Sequence, residues 1–192
     1  ALGVLSLYTF PIIIALLEPL FFRIKFNPIY ILLGLMVLTG LYILTPNFNI
    51  ESNQVKGILF GIFSAFCYAI RILILKKQVA NYNGTMLMFY QTVIISILLL
   101  PTLFFMDLSG LKTQFPYLIL LAILTTAIGH SLMLHSLKFF SASTASIISS
   151  LQPIFGILLA ILFLSEIPTW NTFWGGSLIL LTVVIEGYRS KK

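Results

Sequence analysis

The stretch Ser141–Gly176, SASTASIISSLQPIFGILLAILFLSEIPTWNTFWGG, combines an apolar run, a short turn and the start of a second apolar run. The first run is long enough to form a membrane helix, and the turn contains an acid and a proline, Glu166 and Pro168. A shortened, altered copy of the stretch lies at the beginning of the chain. The stretch therefore predicts a pair of membrane helices, and the rest of the chain can be placed by its relation to the two copies.

The composition predicts that lipid surrounds most of the chain. Of the 192 residues, 59% are apolar and 8% are charged, and the mean hydropathy is +1.08. A soluble domain of this length needs far more charge to cover its surface. The basic residues lie between apolar runs and form no patch, which argues against nucleic acid as a partner. The single cysteine, Cys67, excludes a disulfide within the chain and a cysteine-based metal cluster.

Seven apolar runs approach or reach the roughly 17–25 residues that a membrane-spanning helix needs. They are continuous and rich in Leu and Ile, whereas barrel strands alternate polar and apolar residues. We therefore predict an all-α polytopic membrane protein with seven transmembrane helices. The runs are Leu2–Phe22, Pro28–Leu44, Gly57–Leu75, Thr85–Phe105, Phe115–Leu137, Ser143–Leu164 and Thr172–Gly187.

The basic residues also predict the orientation. With the C-terminus in the cytoplasm, nine basic residues lie on the inner side and two on the outer side, which is a clear positive-inside bias. Trp170 and Trp174 then fall near the outer interface, where indole rings are common. We expect an integral protein of a bacterial inner (plasma) membrane. The chain starts at Ala1 without an initiator Met, which predicts a segment of a longer protein.

The repeat becomes visible when Pro11–Phe21 is set over Pro153–Phe163. PIIIALLEPLF matches PIFGILLAILF at six of eleven positions, and continuing without a gap brings Gly34 onto Gly176. Several Leu and Ile matches are expected by chance in so apolar a chain, so the shared Pro and Gly carry most of the weight. The predicted orientation gives the two copies opposite directions, and inverted repeats are typical of secondary transporters.

The second copy resembles the EamA-type domain of the drug/metabolite transporter superfamily. The resemblance lies in a proline, ten or so apolar residues, the sequence LSE and then nine residues to Gly175. The resemblance implies two inverted five-helix repeats. Residues 1–48 resemble the last two helices of the first repeat and residues 54–192 a complete second repeat, so three N-terminal helices would be absent. The first copy lacks the acid of the pattern. The motif residues are expected to be structural, with Glu166 organising the helix hairpin and Gly175 allowing tight packing; they are Pro11, Pro153, Gly156, Glu166 and Gly175.

Two helix faces consist mainly of small residues, and in lipid such a seam lets two helices approach closely. The spacing on the sixth run is 4-3-4-3-4, and that on the third run is 4-3-4-3, so each set shares one helix face. Tyr68 and Arg71 belong to the second set. The members are Ala142, Ser146, Ser149, Pro153, Gly156 and Ala160, and Gly57, Gly61, Ser64, Tyr68 and Arg71.

Pro153 predicts a bend with a polar spot at membrane depth. Proline has no N–H, so the carbonyl group of Ser149 loses its partner within the helix, and the Gln152 side chain lies nearby. Polar backbone at this depth is tolerated inside protein or beside a water-filled cavity. The bend therefore predicts either a contact with substrate or a packed kink.

Three further polar residues each leave two interpretations open. Arg71 either reaches the inner surface or points into a central cavity. His130 either lines that cavity or is a hydrogen-bonded packing residue. Glu18 is either an ion-coupling site or a partner of Arg23 or Lys25. We predict a substrate site of Tyr68, Arg71, His130, Ser149 and Gln152, with Glu18 as the candidate for ion coupling.

These features together predict a secondary transporter that moves a small organic metabolite by alternating access around a midplane cavity. We expect no metal or cofactor, because the histidines lack partners at metal-ligand spacing and no phosphate-binding loop occurs. An enzyme is not expected, since no GxSxG motif accompanies a base. The expected partners are the lipid bilayer and an unidentified small molecule, and a homodimer is left open. The alternative is an accessory or degenerate membrane subunit without independent transport activity.

Overall fold

The computed structural model describes residues 6–44, 52–105, 111–165 and 167–190. Within these ranges all regular structure is helical. Glu166 lies outside the described residues. A 3-10 turn, Leu100–Phe104, extends the fourth helix, and a π-helical segment, Ala122–His130, joins the fifth helix to the sixth. The α-helices are α1 Phe10–Phe22, α2 Ile29–Leu44, α3 Ser52–Gln78, α4 Gly84–Leu99, α5 Leu111–Leu121, α6 Ser131–Ser136, α7 Ala142–Ser149, α8 Gln152–Leu164 and α9 Trp170–Arg189.

The helices confirm the prediction of an all-α polytopic membrane protein. Four helical stretches of the described chain are long and apolar enough to cross a membrane. Two shorter apolar helices are α1 and α2. The long stretches are Lys56–Gln78, Gly84–Phe104, Thr113–Ser136 and Ala142–Phe163.

The chain forms two compact units. The first consists of Ala1–Leu73 and Phe140–Lys192, and the second of Ile74–Phe139. The first unit therefore contains α1, α2, α7, α8 and α9 and most of α3. The division into repeats at 1–48 and 54–192 concerns the sequence and stays a prediction.

In the first unit, α2 and α9 cross at two glycines. A Cβ atom built on Gly175 would lie 2.5 Å from the carbonyl oxygen of Gly40, and one built on Gly40 would lie 2.8 Å from that of Gly175. Gly40 also adjoins Ile179, while Gly175 adjoins Leu44, so the two helices run antiparallel. Gly175 lies in a close helix contact, where the sequence predicts tight packing.

In the second unit, α4 and α6 are held close together. A Cβ atom on Gly84 would lie 3.2 Å from the backbone nitrogen of His135. The last turn of α3 reaches the same region, because the Lys76 ammonium group donates a hydrogen bond of 2.5 Å to the Leu137 carbonyl oxygen, directly after α6. An open apolar groove of about 490 Å³ lies between α4 and the π-helical segment, with Met88 and Thr126 among its lining residues.

The predicted small-residue seams are packed only in part. Gly57 and Gly156 have open space where a Cβ atom would be, so the prediction of close helix contacts at these two glycines is wrong. On α3 the buried stripe is instead Ala65, Ala69 and Ile72. Each of these residues follows a member of the predicted face, so the packed face is turned by about 100°. Gly156 is unpacked for a different reason. The turn between α7 and α8 lies before it, and the packed face of α7 does not continue along the predicted seam of α8.

Replacing Gly175 by alanine should destabilise the protein, because the new methyl group would meet the backbone oxygen of Gly40, which cannot rotate away. Overpacking of this kind costs about 1–3 kcal/mol. Thermal unfolding in detergent, followed by circular dichroism, measures the effect. Gly156→Ala is the matched control in another helix, where the methyl group meets open space. Equal melting temperatures for the two variants would contradict the close contact.

Candidate functional site

Directly before Pro153 the α-helical hydrogen bonding of the stretch Ala142–Phe163 is interrupted, and we call this interruption a helix break. α7 ends at Ser149, residues 150 and 151 form a turn, and α8 begins at Gln152 with Pro153 in its first turn. The N–H groups of the two turn residues donate to carbonyl oxygens three residues earlier, at 3.0 and 3.1 Å. Proline fits the first turn of a helix because its missing N–H would have had no partner there.

The same local geometry occurs at Pro11. Residues 8 and 9 form a turn, and α1 begins at Phe10 with Pro11 in its first turn. The Thr9 N–H group donates to the Ser6 carbonyl oxygen at 3.2 Å, again three residues earlier. The two prolines that the sequence places over each other therefore mark similar breaks.

The two breaks meet in the first unit. The Tyr8 hydroxyl group donates a hydrogen bond of 3.3 Å to the Gln152 side-chain oxygen. Tyr8 is buried, whereas Gln152 is exposed. An interrupted backbone at membrane depth is tolerated where it is buried in protein or lines a water-filled cavity. The contact therefore marks a candidate site for a polar ligand.

A chain of side-chain contacts leads from this hydrogen bond to Arg71. The ring centroid of Phe10 lies 5.9 Å from that of Tyr8 and 5.0 Å from that of Tyr68, the second pair in an edge-to-face arrangement. The guanidinium carbon of Arg71 lies 5.7 Å from the Tyr68 ring centroid, within the range of a cation–π interaction. Three of the predicted site residues, Tyr68, Arg71 and Gln152, thus belong to one chain of contacts, with Gln152 at one end and Arg71 at the other.

Ser149 and His130 make local contacts. The Ser149 hydroxyl group donates to the Ala145 carbonyl oxygen of its own helix at 2.8 Å. His130 belongs to the second unit, where its Nδ1 atom lies 2.7 Å from the carbonyl oxygen of Thr125, five residues earlier in the π-helical segment. Their assignment to a substrate site stays a prediction.

Glu18 lies in a second polar cluster, at the N-terminus of α7. One carboxylate oxygen accepts from the Ala142 N–H at 2.6 Å, and the other accepts from the Ser143 N–H at 2.9 Å and from the Ser143 hydroxyl group. The Glu18 side chain is buried. The alternative partners Arg23 and Lys25 are exposed, and no ion pair with either is found among the described residues. The Glu18 carboxylate instead lies at the N-terminus of α7, which is the positive end of that helix dipole.

Ser141 completes the cap of α7. Its hydroxyl oxygen accepts from the Thr144 N–H at 3.0 Å. The first N–H groups of a helix have no partners within the helix. Three successive groups, those of Ala142, Ser143 and Thr144, here have side-chain acceptors. Since unpaired polar groups are costly away from water, this cap stabilises a helix start that is buried in the protein.

A second buried carboxylate, that of Glu186, extends the cluster to α9. Arg189 donates to its two oxygens at 2.8 and 2.9 Å, and the Thr144 hydroxyl group donates to it at 2.6 Å. The guanidinium carbon of Arg189 lies 4.1 Å from the ring centroid of Tyr30 on α2. The Tyr30 hydroxyl oxygen lies 3.2 Å from that of Thr144. We name this set the α7 cap cluster: Glu18, Tyr30, Ser141, Ser143, Thr144, Glu186 and Arg189.

Glu186 and Arg189 are the residues that the sequence analysis missed. They lie at the end of the last apolar run, where charged residues are expected to be exposed at the membrane surface. Two signals were present. The pair has the i, i+3 spacing of helix ion pairs, and Ser141 stands directly before an apolar run, as helix-capping residues do. Neither signal identifies α7 as the partner of α9.

Replacing Arg189 by alanine should leave Glu186 buried without its cation and lower the free energy of unfolding by about 2–4 kcal/mol. Thermal unfolding in detergent measures the loss. The double variant Glu186→Gln, Arg189→Gln should regain part of it, because no buried charge is left unpaired. Arg23→Ala removes an exposed guanidinium group and serves as the control. If Arg189→Ala is as stable as Arg23→Ala, the partly buried ion pair has no stabilising role.

Comparison with known proteins points to one family. The model of the EamA-like transporter family matches residues 55–186. A protein of Archaeoglobus fulgidus named "Uncharacterized transporter" is 29% identical over 188 residues, covering 96% of the chain and 66% of that relative. A second protein with the same name and from the same organism is 29% identical over 162 residues, covering 81% of the chain and 50% of the relative.

The chain thus spans between half and about two thirds of the length of these relatives. No solved structure matches it at comparable significance. The family match covers more than half of the chain and agrees with the apolar helical architecture. The chain belongs to the EamA-like transporter family.

Proposed function

We propose that the protein moves a small organic metabolite across the membrane, by alternating access of two inverted repeats around the place where the two helix breaks meet. The hydrogen bond between Tyr8 and Gln152 carries the proposal, because it joins the breaks that adjoin Pro11 and Pro153. Broken helices that meet near the midplane form the substrate sites of many secondary transporters. Membership of a transporter family favours a carrier over an enzyme.

The packing of α2 against α9 supports an inverted relation between the two sequence copies. Each of these helices follows a broken helix, and the ungapped comparison places Gly34 of α2 on Gly176 of α9. The two helices run antiparallel, with Gly40 against Gly175. Equivalent helices of two inverted repeats are expected to run in opposite directions.

The chemistry near the breaks favours an organic anion as the substrate. A guanidinium group such as that of Arg71 binds a carboxylate or phosphate through paired, charge-assisted hydrogen bonds. The amide of Gln152 and the hydroxyl group of Tyr68 add polar contacts, and the rings of Tyr8 and Phe10 provide an apolar wall. A site of this kind fixes the charged end of a ligand and leaves room for variation elsewhere.

The location and the assembly belong to the same proposal. We place the protein in a bacterial inner membrane with its C-terminus in the cytoplasm, on the basis of the positive-inside bias. A homodimer is included as a proposed assembly. Transport is proposed for the whole protein, because the chain spans only part of its relatives. An accessory subunit without transport of its own is the competing proposal, and transport by the purified protein alone would exclude it.

Replacing Arg71 or Gln152 by alanine should reduce transport of an organic anion at least about tenfold, since each lost charged or bidentate contact corresponds to a factor of this order. Uptake and efflux of a metabolite panel by proteoliposomes containing the full-length protein provide the measurement. Lys77→Ala removes an exposed basic side chain near the end of the same helix and is the control. Unchanged transport in Arg71→Ala would remove Arg71 from the site.

Ion coupling at Glu18 makes a separate prediction. If Glu18 carries the coupling proton, Glu18→Gln should abolish gradient-driven uptake and leave substrate exchange intact, because exchange needs no net movement of protons. The two modes can be measured on the same proteoliposomes with and without an imposed gradient. Unchanged gradient-driven uptake in Glu18→Gln would end the coupling hypothesis.

A further inference from the structure

The stretches Tyr8–Glu18 and Ala142–Gln152 are hydrogen-bonded to each other at both ends. The two ends of each stretch are ten positions apart, which corresponds to about 15 Å of helix rise. Tyr8 bonds to Gln152 at one end, and Glu18 bonds to Ala142 at the other. The two stretches therefore run antiparallel in one defined register, and the cap and the paired breaks lie at opposite ends of the same contact.

Side chains of different sizes are buried between these ends. Ile14 and Ile147 are completely buried, and Ala15 and Ala145 are 2% and 3% exposed. Contacts between the small side chains allow close approach, and apolar contact is not directional, whereas the hydrogen bonds at the two ends are. A slip of one residue would move Glu18 by about 1.5 Å and turn it by about 100° away from the N–H groups of α7.

We infer that the α7 cap cluster sets the register of α1 against α7 and thereby positions the paired breaks. Glu18, Thr144 and Glu186 are positioning residues in this account, because they contact α7 and act on the proposed site through it. The effect on transport rests on the proposed function at the breaks, whereas the effect on the register does not.

Two hydroxyl groups of the cluster form a directed series of hydrogen bonds that ends at Glu186. Ser141 donates to the Thr144 hydroxyl oxygen at 2.8 Å, and Thr144 donates to Glu186 at 2.6 Å. Glu186 also accepts two hydrogen bonds from Arg189. The start of α7 is thus fixed to α1 through Glu18 and to α9 through Glu186, and Tyr30 adds a contact from α2.

Both oxygens of the Glu18 carboxyl group accept hydrogen bonds from the start of α7. Two of the donors are backbone N–H groups, which cannot reverse direction and become acceptors. The geometry at Glu18 is therefore that of a helix cap.

Cysteine cross-linking measures the register directly. The register places Ala15 opposite Ala145, so the double variant Ala15→Cys, Ala145→Cys in a Cys67→Ser background should form a disulfide in membranes containing the full-length protein. Adding Glu18→Gln or Thr144→Val should slow cross-linking roughly tenfold, because a buried directional bond is lost. Thr144→Ser keeps the hydroxyl group and should restore the rate.

Two controls separate register from general stability. Thr182→Val removes a buried hydroxyl group that donates to the Ile179 carbonyl oxygen of its own helix, at 2.7 Å. Val37→Ala creates a cavity on α2 at a buried position two helical turns beyond Tyr30. Both should leave the cross-linking rate unchanged. If Glu18→Gln does not fold, Thr144→Val and Thr144→Ser decide the outcome.

The inference would be overturned if Thr144→Val and Glu18→Gln cross-linked as fast as Thr182→Val. This outcome would not depend on the transport activity of the variants. Slower cross-linking supports it. If the register is lost, gradient-driven transport and exchange should both fall and KM should rise, whereas loss of coupling alone would spare exchange. Slower cross-linking with unchanged transport would uphold the register and count against the proposed site at the breaks.

Discussion

The first three N–H groups of α7 lie inside the protein, and side chains rather than water satisfy them. In an apolar surrounding an unpaired N–H group costs several kcal/mol, so the start of α7 has to be placed where acceptors are available. Glu18 and Ser141 provide these acceptors, and Glu186 holds Thr144 from the other side. The position of α7, and with it that of the break before Gln152, depends on this cap.

Helices in lipid gain little from burying apolar surface against one another, since lipid tails are equally apolar. Close backbone approach and hydrogen bonds therefore determine which helices pair. The first unit uses both. Gly40 and Gly175 let α2 and α9 touch, and the α7 cap cluster joins α1, α2, α7 and α9. The proposed transport site lies at the opposite end of α7 from this cluster.

The sequence predicted the helices because long apolar runs and polar interruptions are local signals, and the prolines marked the breaks for the same reason. It did not predict contacts between distant residues. The predicted small-residue face of α3 differs from the packed face by one residue position. Ala65 and Ser64 are both small, and no local signal selects between them. The cap of α7 by Glu18 joins residues more than 120 positions apart, and a lone acid in an apolar run suggests ion coupling as readily as capping.

The most direct test of a site at the paired breaks is its access to water. The measurement is labelling of Gln152→Cys, in a Cys67→Ser background, by a membrane-impermeant thiol reagent applied to either side of the membrane. Leu159→Cys on the exposed apolar face of α8 is the reference for a lipid-facing position. We expect Gln152→Cys to react and transported substrates to slow its reaction, while Leu159→Cys stays unlabelled. Failure of Gln152→Cys to react from either side would contradict a water-filled substrate site between the two breaks.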